Sequence, residues 1–302
     1  MLKIKPTLVV EKLTTLTQPW FSSVVDPYIT LEYYNSDKTY DKQSTIFCAN
    51  YNAPAPEYRT HFIETGYKIV YDNFQEAVIV DNSKYILQNP NWFRYYESLW
   101  YKHLGYDAYR PNRNYKHLAL MPIRRRKIHR DLAERKLQPW LDDFVWSYVS
   151  KGRRLPDDIT SFDSQRFFNA SWYDQTCFSM VLESIVDPPV NNTVFITEKT
   201  YKPIAFRHPF VIMGQPGSLK LLKSLGFETF ENMFDESYDT EPDWLKRLDC
   251  LVNIVQQFNK QPYDTLTEQK LRHNHELFFD TQLVTKHIVE EIIYPLLNYA
   301  ET

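Results

Sequence analysis

Short apolar runs alternate along this chain with longer stretches whose apolar residues recur every three or four positions. That is the pattern of strands separated by amphipathic helices. Runs at 7–10, 28–34, 44–50, 67–71 and 77–80 read as strands, the third running into the Pro-rich loop NYNAPAPE, and the Trp- and Tyr-rich stretch 92–104 reads as a helix. A second series starts near residue 116. Strands are expected at 117–121, 144–149, 177–182, 194–196 and 209–213, with helices at 127–141, from Thr197 onward, and at 218–225. Beyond Asp243 the pattern is helical throughout, at 244–258, 265–279 and 282–299. Strands alternating with helices twice over predict an α/β chain of two Rossmann-like lobes with a helical C-terminal tail. The divisions fall at 1–115, 116–258 and 259–302.

At 302 residues the chain is long enough for two cores. The net charge of −3 is unevenly spread: residues 110–136 hold ten Lys and Arg against two acids, and 231–243 hold six acids and no base. Such segregation predicts one anion-facing surface on an otherwise acidic molecule. Cys48, Cys177 and Cys250 are odd in number and lack metal-ligand spacing, so they read as reduced thiols of a cytoplasmic protein. The first residues carry no signal-peptide pattern, and no run approaches the length of a membrane span.

Three places carry candidate chemistry. Thr197-Glu198-Lys199 stands at a helix start after a strand-like run. Thr197 suits the cap, Lys199 suits a diphosphate and Glu198 suits ribose hydroxyls, while an ordinary cap with first-turn charges fits the same residues. The run Arg124-Arg125-Arg126-Lys127-Ile128-His129-Arg130 gathers cations where a helix begins, an arrangement that costs helix stability unless an anion is present. A solvated basic loop, an interdomain ion-pair strip or a nucleic-acid patch fits it as well. Glu183 closes an apolar strand and is either a polar strand end or a group facing the same cleft. No Walker loop, G-x-G-x-x-G or G-x-S-x-G occurs. The DESYD run at 235–239 reads as an acidic turn more readily than as a metal site, and no metal is expected.

The blocks LALMPIRRRKIHRDL, FSMVLES and FITEKTYKPIAFRHPFVIMG, spanning about 116–240, resemble the donor-binding half of the fucosyltransferase-like GT-B glycosyltransferases. They also resemble glycosyltransferase-like proteins of large tailed phages. The resemblance implies a two-lobed enzyme whose co-substrate is a nucleotide-diphosphate sugar, with no separate cofactor. It implies that Arg126, Lys127, Arg130, Thr197, Glu198 and Lys199 bind the donor, with Arg130 and Lys199 on the diphosphate, Glu198 on the ribose and Glu183 by the transferred sugar. The implied chemistry is inverting and metal-independent, with a carboxylate of the first lobe as base: Glu57 first, then Glu64 or Asp72. The acceptor would be a glycan or a hydroxylated DNA base. Phe195, and Ser184 directly after Glu183, depart from the family pattern. The competing reading is a non-catalytic α/β protein that binds nucleic acid or a partner through 124–130.

Overall fold

The computed structural model describes residues 5, 7–10, 19–33, 38–41, 45–50, 68–72, 85–87, 91–155, 169–189 and 194–301. In chain order the elements are β1 (Thr7–Val10), α1 (Pro19–Val25), β2 (Thr30–Tyr33), β3 (Thr45–Asn50), β4 (Lys68–Asp72), β5 (Tyr85–Leu87), α2 (Trp92–His103), β6 (His117–Ile123), α3 (Ile128–Leu137), β7 (Phe144–Tyr148), α4 (Ala170–Gln175), β8 (Thr176–Leu182), α5 (Glu198–Ala205), β9 (Phe210–Met213), α6 (Ser218–Ser224), α7 (Trp244–Gln257), α8 (Thr265–Phe278), α9 (Thr281–Ile288) and α10 (Tyr294–Glu301).

The chain forms two compact units: residues 1–103 with 280–302, and residues 104–279. The expected tail, 259–302, is therefore shared, with α8 in the second unit and α9 and α10 in the first. Each unit has one sheet, ordered β2-β1-β3-β4-β5 in the first and β7-β6-β8-β9 in the second. All strand pairs within them are parallel. Both follow the doubly wound order 2-1-3-4, so the α/β expectation holds, and each sheet reverses direction beside its first strand. Among the described residues no helix is long and apolar enough to cross a membrane.

The second unit owes its core to strands buried on both faces, which is why they read as unbroken apolar runs instead of alternating ones. Every residue of β8 and β9 is buried, as are Leu118 to Met121 of β6. Helix α3 packs against α7, and α5 against α8, where Tyr201 stacks on Phe278 at 5.8 Å. Burying apolar side chains of this size contributes about 1.5–3 kcal/mol each.

Several expectations changed in detail. The helix expected over 127–141 stops at Leu137 and continues as a 3₁₀ turn, Gln138–Asp143, because Pro139 has no N–H for the α-helical ladder. Residues 194–196 lie outside the sheet: the Phe195 N–H donates to the Gln215 side chain at 2.8 Å. The last helical stretch contains a π turn, Val289–Ile293, ending two residues before Pro295. The strand expected at 77–80 falls outside the described residues, while α1, α4 and the three-residue β5 were not anticipated.

His208 joins β8 to the turn before β9. Its Nε2–H donates to the Thr176 carbonyl at 2.9 Å, and the Ser179 hydroxyl donates to Nδ1 at 2.9 Å. Burial holds this imidazole neutral and pulls its pKa from 6.5 down to about 3. Between those values the unfolded chain carries a proton that the folded one lacks, so stability falls as pH drops from about 6.5 toward 3. Replacing it, His208→Gln, is expected to reduce proton uptake on unfolding at pH 5 by about one, read from the pH dependence of urea-unfolding free energies. An unchanged uptake would mean that His208 titrates normally in the fold.

Candidate functional site

The chain leaves β6 toward β7 on one side and leaves β8 toward β9 on the other, so the sheet has its switch point between β6 and β8. The loops after these strands diverge at that point of the carboxyl edge, which is where open α/β sheets hold their ligands. Arg124 to Lys127 follow β6, and Glu183 to Thr197 follow β8.

Glu183 is the hub. It is 0% exposed, and its carboxylate accepts from the Thr197 N–H at 3.0 Å, the Thr197 hydroxyl at 2.6 Å, the Thr200 hydroxyl at 2.7 Å and the Ser184 N–H at 3.2 Å. A carboxylate at the positive end of α5 is favourably placed, and four donors offset much of its desolvation. The Glu183 N–H donates to Met213 O at 2.9 Å and so ties the end of β8 to β9. Its carbonyl meets Arg130 Nη2 at 3.0 Å and His129 Nε2 at 2.9 Å. Burial, the neighbouring Arg130 and other cations lower the His129 pKa to about 4, so this ring is neutral and its Nε2–H is the donor. Gly214 completes the close packing: a Cβ there would lie 2.9 Å from Ser218 Oγ and 3.5 Å from the Glu183 Cβ.

The cations divide into two groups. Arg130 is buried, at 4% exposure, and its guanidinium donates to the carbonyls of Arg125, Leu182 and Glu183, each at 3.0 Å. It braces the two loops together with its donors turned toward backbone, where the resemblance had it facing a diphosphate. Lys127 and Lys199 converge on Ser184. The first donates to its carbonyl at 2.6 Å and the second to its hydroxyl at 3.3 Å. Lys127 is exposed, yet partial desolvation of its ammonium and the charges of Arg130, Lys199 and Arg125 lower its pKa.

Lys199 also reaches Thr197 Oγ1 at 3.1 Å and pairs with Glu198 at 2.7 Å. Burial would raise the Glu198 pKa, but Lys199 and Lys202 outweigh it and bring it down to about 2. Thr197 caps α5, as expected, through a 3.4 Å contact from the Lys199 N–H.

Helix α3 begins without a side-chain cap. Its N-cap residue is Lys127, and the first-turn acid Asp131 faces away, accepting from Arg126 at 2.8 Å and Tyr148 at 2.7 Å and pairing with Lys151 at 2.9 Å. The Arg130 and Asp131 N–H groups return to the Lys127 carbonyl at 3.0 Å, and among the described residues no side chain takes the Ile128 and His129 amides of this cationic helix end, where an anion would be favoured. By contrast, Asp243, Asp264 and Asp280 cap α7, α8 and α9. The start of α6 is occupied as well, since the Asp239 carboxylate takes the Leu219 and Lys220 amides at 2.9 and 3.1 Å.

Six of the anticipated residues, Lys127, Arg130, Glu183, Thr197, Glu198 and Lys199, gather at this one edge. Arg126 does not join them, being held by Asp131 with its side chain 68% exposed. Glu57 and Glu64 lie outside the described residues, and Asp72 ends β4. The DESYD run is less solvated than expected: Glu236 accepts from the Phe230 N–H at 2.6 Å, and Asp239 is buried. Sequence reasoning gave no role to Thr200 or Gln215, and met Ser184 only as a departure from the family pattern and His129 only as one member of the basic run. Only Thr200 had a local signal, three residues after the capping Thr197.

No protein-family model matches the chain, and no curated protein is similar to it in sequence. Among solved structures it is similar to a crystal structure of α1,3-fucosyltransferase, with 12% identity and a TM-score of 0.49 over 97% of this chain and 93% of that one. A structure of α1,3-fucosyltransferase with GDP gives 11% and 0.47 over 95% and 92%. One with GDP-fucose gives 11% and 0.43 over 93% of both chains.

Truncating the hub orphans several buried donors at once, so Glu183→Ala is expected to cost about 3 kcal/mol or more of unfolding free energy in urea. Glu183→Gln, which keeps one acceptor oxygen, should cost less. A loss for Glu183→Ala below about 1 kcal/mol would remove Glu183 from the centre of this account.

Proposed function

We propose that the chain is a glycosyltransferase that moves a sugar from a nucleotide-diphosphate donor to an acceptor hydroxyl, on a GT-B plan. The observation that carries the reading is the meeting of Lys127 and Lys199 on Ser184, beside the uncapped start of α3, at the switch point of the second sheet. Arg130, Lys199 and Arg125 oppose the charge of Lys127, which favours a ligand of high negative charge, and a diphosphate is the right size.

In the proposed reaction the acceptor hydroxyl gives its proton to a carboxylate, Glu57 foremost. Its oxygen forms a bond to the anomeric carbon as the bond from that carbon to the diphosphate breaks, inverting the centre. The departing oxygen gains negative charge, which Lys127, Lys199 and the α3 amides neutralise without a metal. Arg130 adds positive charge from behind while holding this edge in shape. Glu198, held ionised by Lys199 and Lys202, is the acceptor for ribose hydroxyls. Glu183 acts through Thr197 and Lys199 as a positioning residue. The acceptor is a glycan or a hydroxylated DNA base.

A nucleic-acid surface along 124–130 finds less support, because that run is largely spent on the protein itself. Arg126 pairs with Asp131, and His129 and Arg130 are buried.

Thermal denaturation with UDP-, GDP- and CDP-sugars, GDP-fucose among them, tests the reading. The matching donor at a hundredfold excess over its Kd should stabilise the fold by about 2.7 kcal/mol, and Lys127→Ala and Lys199→Ala should each lose most of that gain. Absence of any response to every nucleotide, or unchanged stabilisation of both variants, would overturn it.

A further inference from the structure

A second pocket lies at the opposite edge of the same sheet. Its volume is about 460 Å³, and it is walled by the turn 232–235, the end of α7, the linker 259–264 and the first turn of α8. Tyr263 fixes its position, donating its hydroxyl to the carbonyl of Cys177 at 2.7 Å near the start of β8. Glu183, at the other end of that strand, is roughly 20 Å away at the rise of an extended chain. The pocket is therefore separate from the donor site.

Its chemistry also differs. No Lys, Arg or His lines it, while Asp235 and Asp264 do. Each carboxylate caps a turn, accepting from the Ser237 N–H at 2.9 Å and the Thr267 N–H at 2.7 Å, and Asp264 is hydrogen-bonded by the Thr267 and Asn232 side chains as well. A phosphate or a nucleic acid would be repelled there. Gln257, Asn259 and Gln261 bring primary amides, and among the described residues these side chains have no hydrogen-bond partner within the protein. Asn232 holds the wall, donating to Thr267 Oγ1 at 2.7 Å.

Two half-buried rings complete the lining. Phe258 packs against Phe178 at 5.1 Å, and Arg113 lies over the Tyr263 ring at 4.8 Å, so both are held rigid. Fixed aromatic surface and side-chain amides, with acids but no cation among the lining residues, suit a neutral ligand that has apolar C–H faces and many hydroxyls.

We infer that this pocket is a second carbohydrate site, binding a neutral saccharide away from the reaction site. On the glycosyltransferase reading it would hold a distal part of the glycan acceptor or product, and only that purpose rests on the reading. The binding itself stands alone.

Saturation-transfer NMR with lactose, cellobiose, maltose and N,N′-diacetylchitobiose tests it on the full chain in calcium-free buffer. At least one disaccharide should show transfer, and the double variant Gln257→Ala/Gln261→Ala, altered only at exposed side chains, should weaken it at least tenfold. Pyrophosphate and Lys199→Ala should leave it unchanged. No transfer from any of the four sugars would overturn the site. So would transfer that survives in the double variant, that needs added calcium, or that Lys199→Ala abolishes. Failure of every nucleotide sugar to stabilise the protein, with disaccharide binding intact, would sink the transferase reading and leave this one standing.

Discussion

The buried carboxylate of Glu183 is the constraint on which the second unit's carboxyl edge depends. One side chain satisfies the start of α5 through Thr197 and Thr200, while its own backbone extends the ladder to β9 and receives Arg130 and His129 from α3. A charge withdrawn from water is tolerable only when it is heavily hydrogen-bonded and compensated. Both conditions are met, by four donors and by the Arg130 guanidinium held against the same residue's carbonyl. Because the partners come from three elements, fixing this group also fixes where β6, β8 and α5 present their loops.

Lys127 and Lys199 inherit their positions from that hub. Lys199 rests on Thr197, whose hydroxyl is bound to Glu183, and Lys127 rests on the carbonyl of the next residue, Ser184. The fold spends its acidic groups freely elsewhere, closing α6, α7, α8 and α9 with aspartates. Among the helix starts whose caps are described, only α3 puts a lysine in the cap position and sends the nearby acid to another partner. On the proposed reading, positive charge arranged in advance would meet the departing diphosphate with no reorganisation as its charge develops.

Much of the frame was legible because it is local. Fully buried parallel strands leave continuous apolar runs, and β6, β8 and β9 fall where such runs stand. The Thr-Glu-Lys start of α5 was likewise written in three adjacent residues. What was not legible depends on distant partners. Nothing near Arg130 tells that its donors turn inward to carbonyls 52 and 53 residues away. Arg126 looked equivalent to its neighbours until Asp131, Lys151 and Tyr148 formed a network on the other side. Asp239 looked like part of a solvated acidic turn, yet it closes a helix about 20 residues upstream. The three-residue β5 exists only through its pairing with β4, so its sequence carried no period to read.

The most direct test of the central claim is a ¹³C NMR titration of the lysine side chains, with and without pyrophosphate. In the free protein Lys127 should titrate below its ordinary 10.5, because partial desolvation of its ammonium and the nearby Arg130 and Lys199 oppose its charge. Bound pyrophosphate should then raise that value while the other surface lysines hold theirs. A Lys127 that titrates at the ordinary value and ignores pyrophosphate would contradict the account.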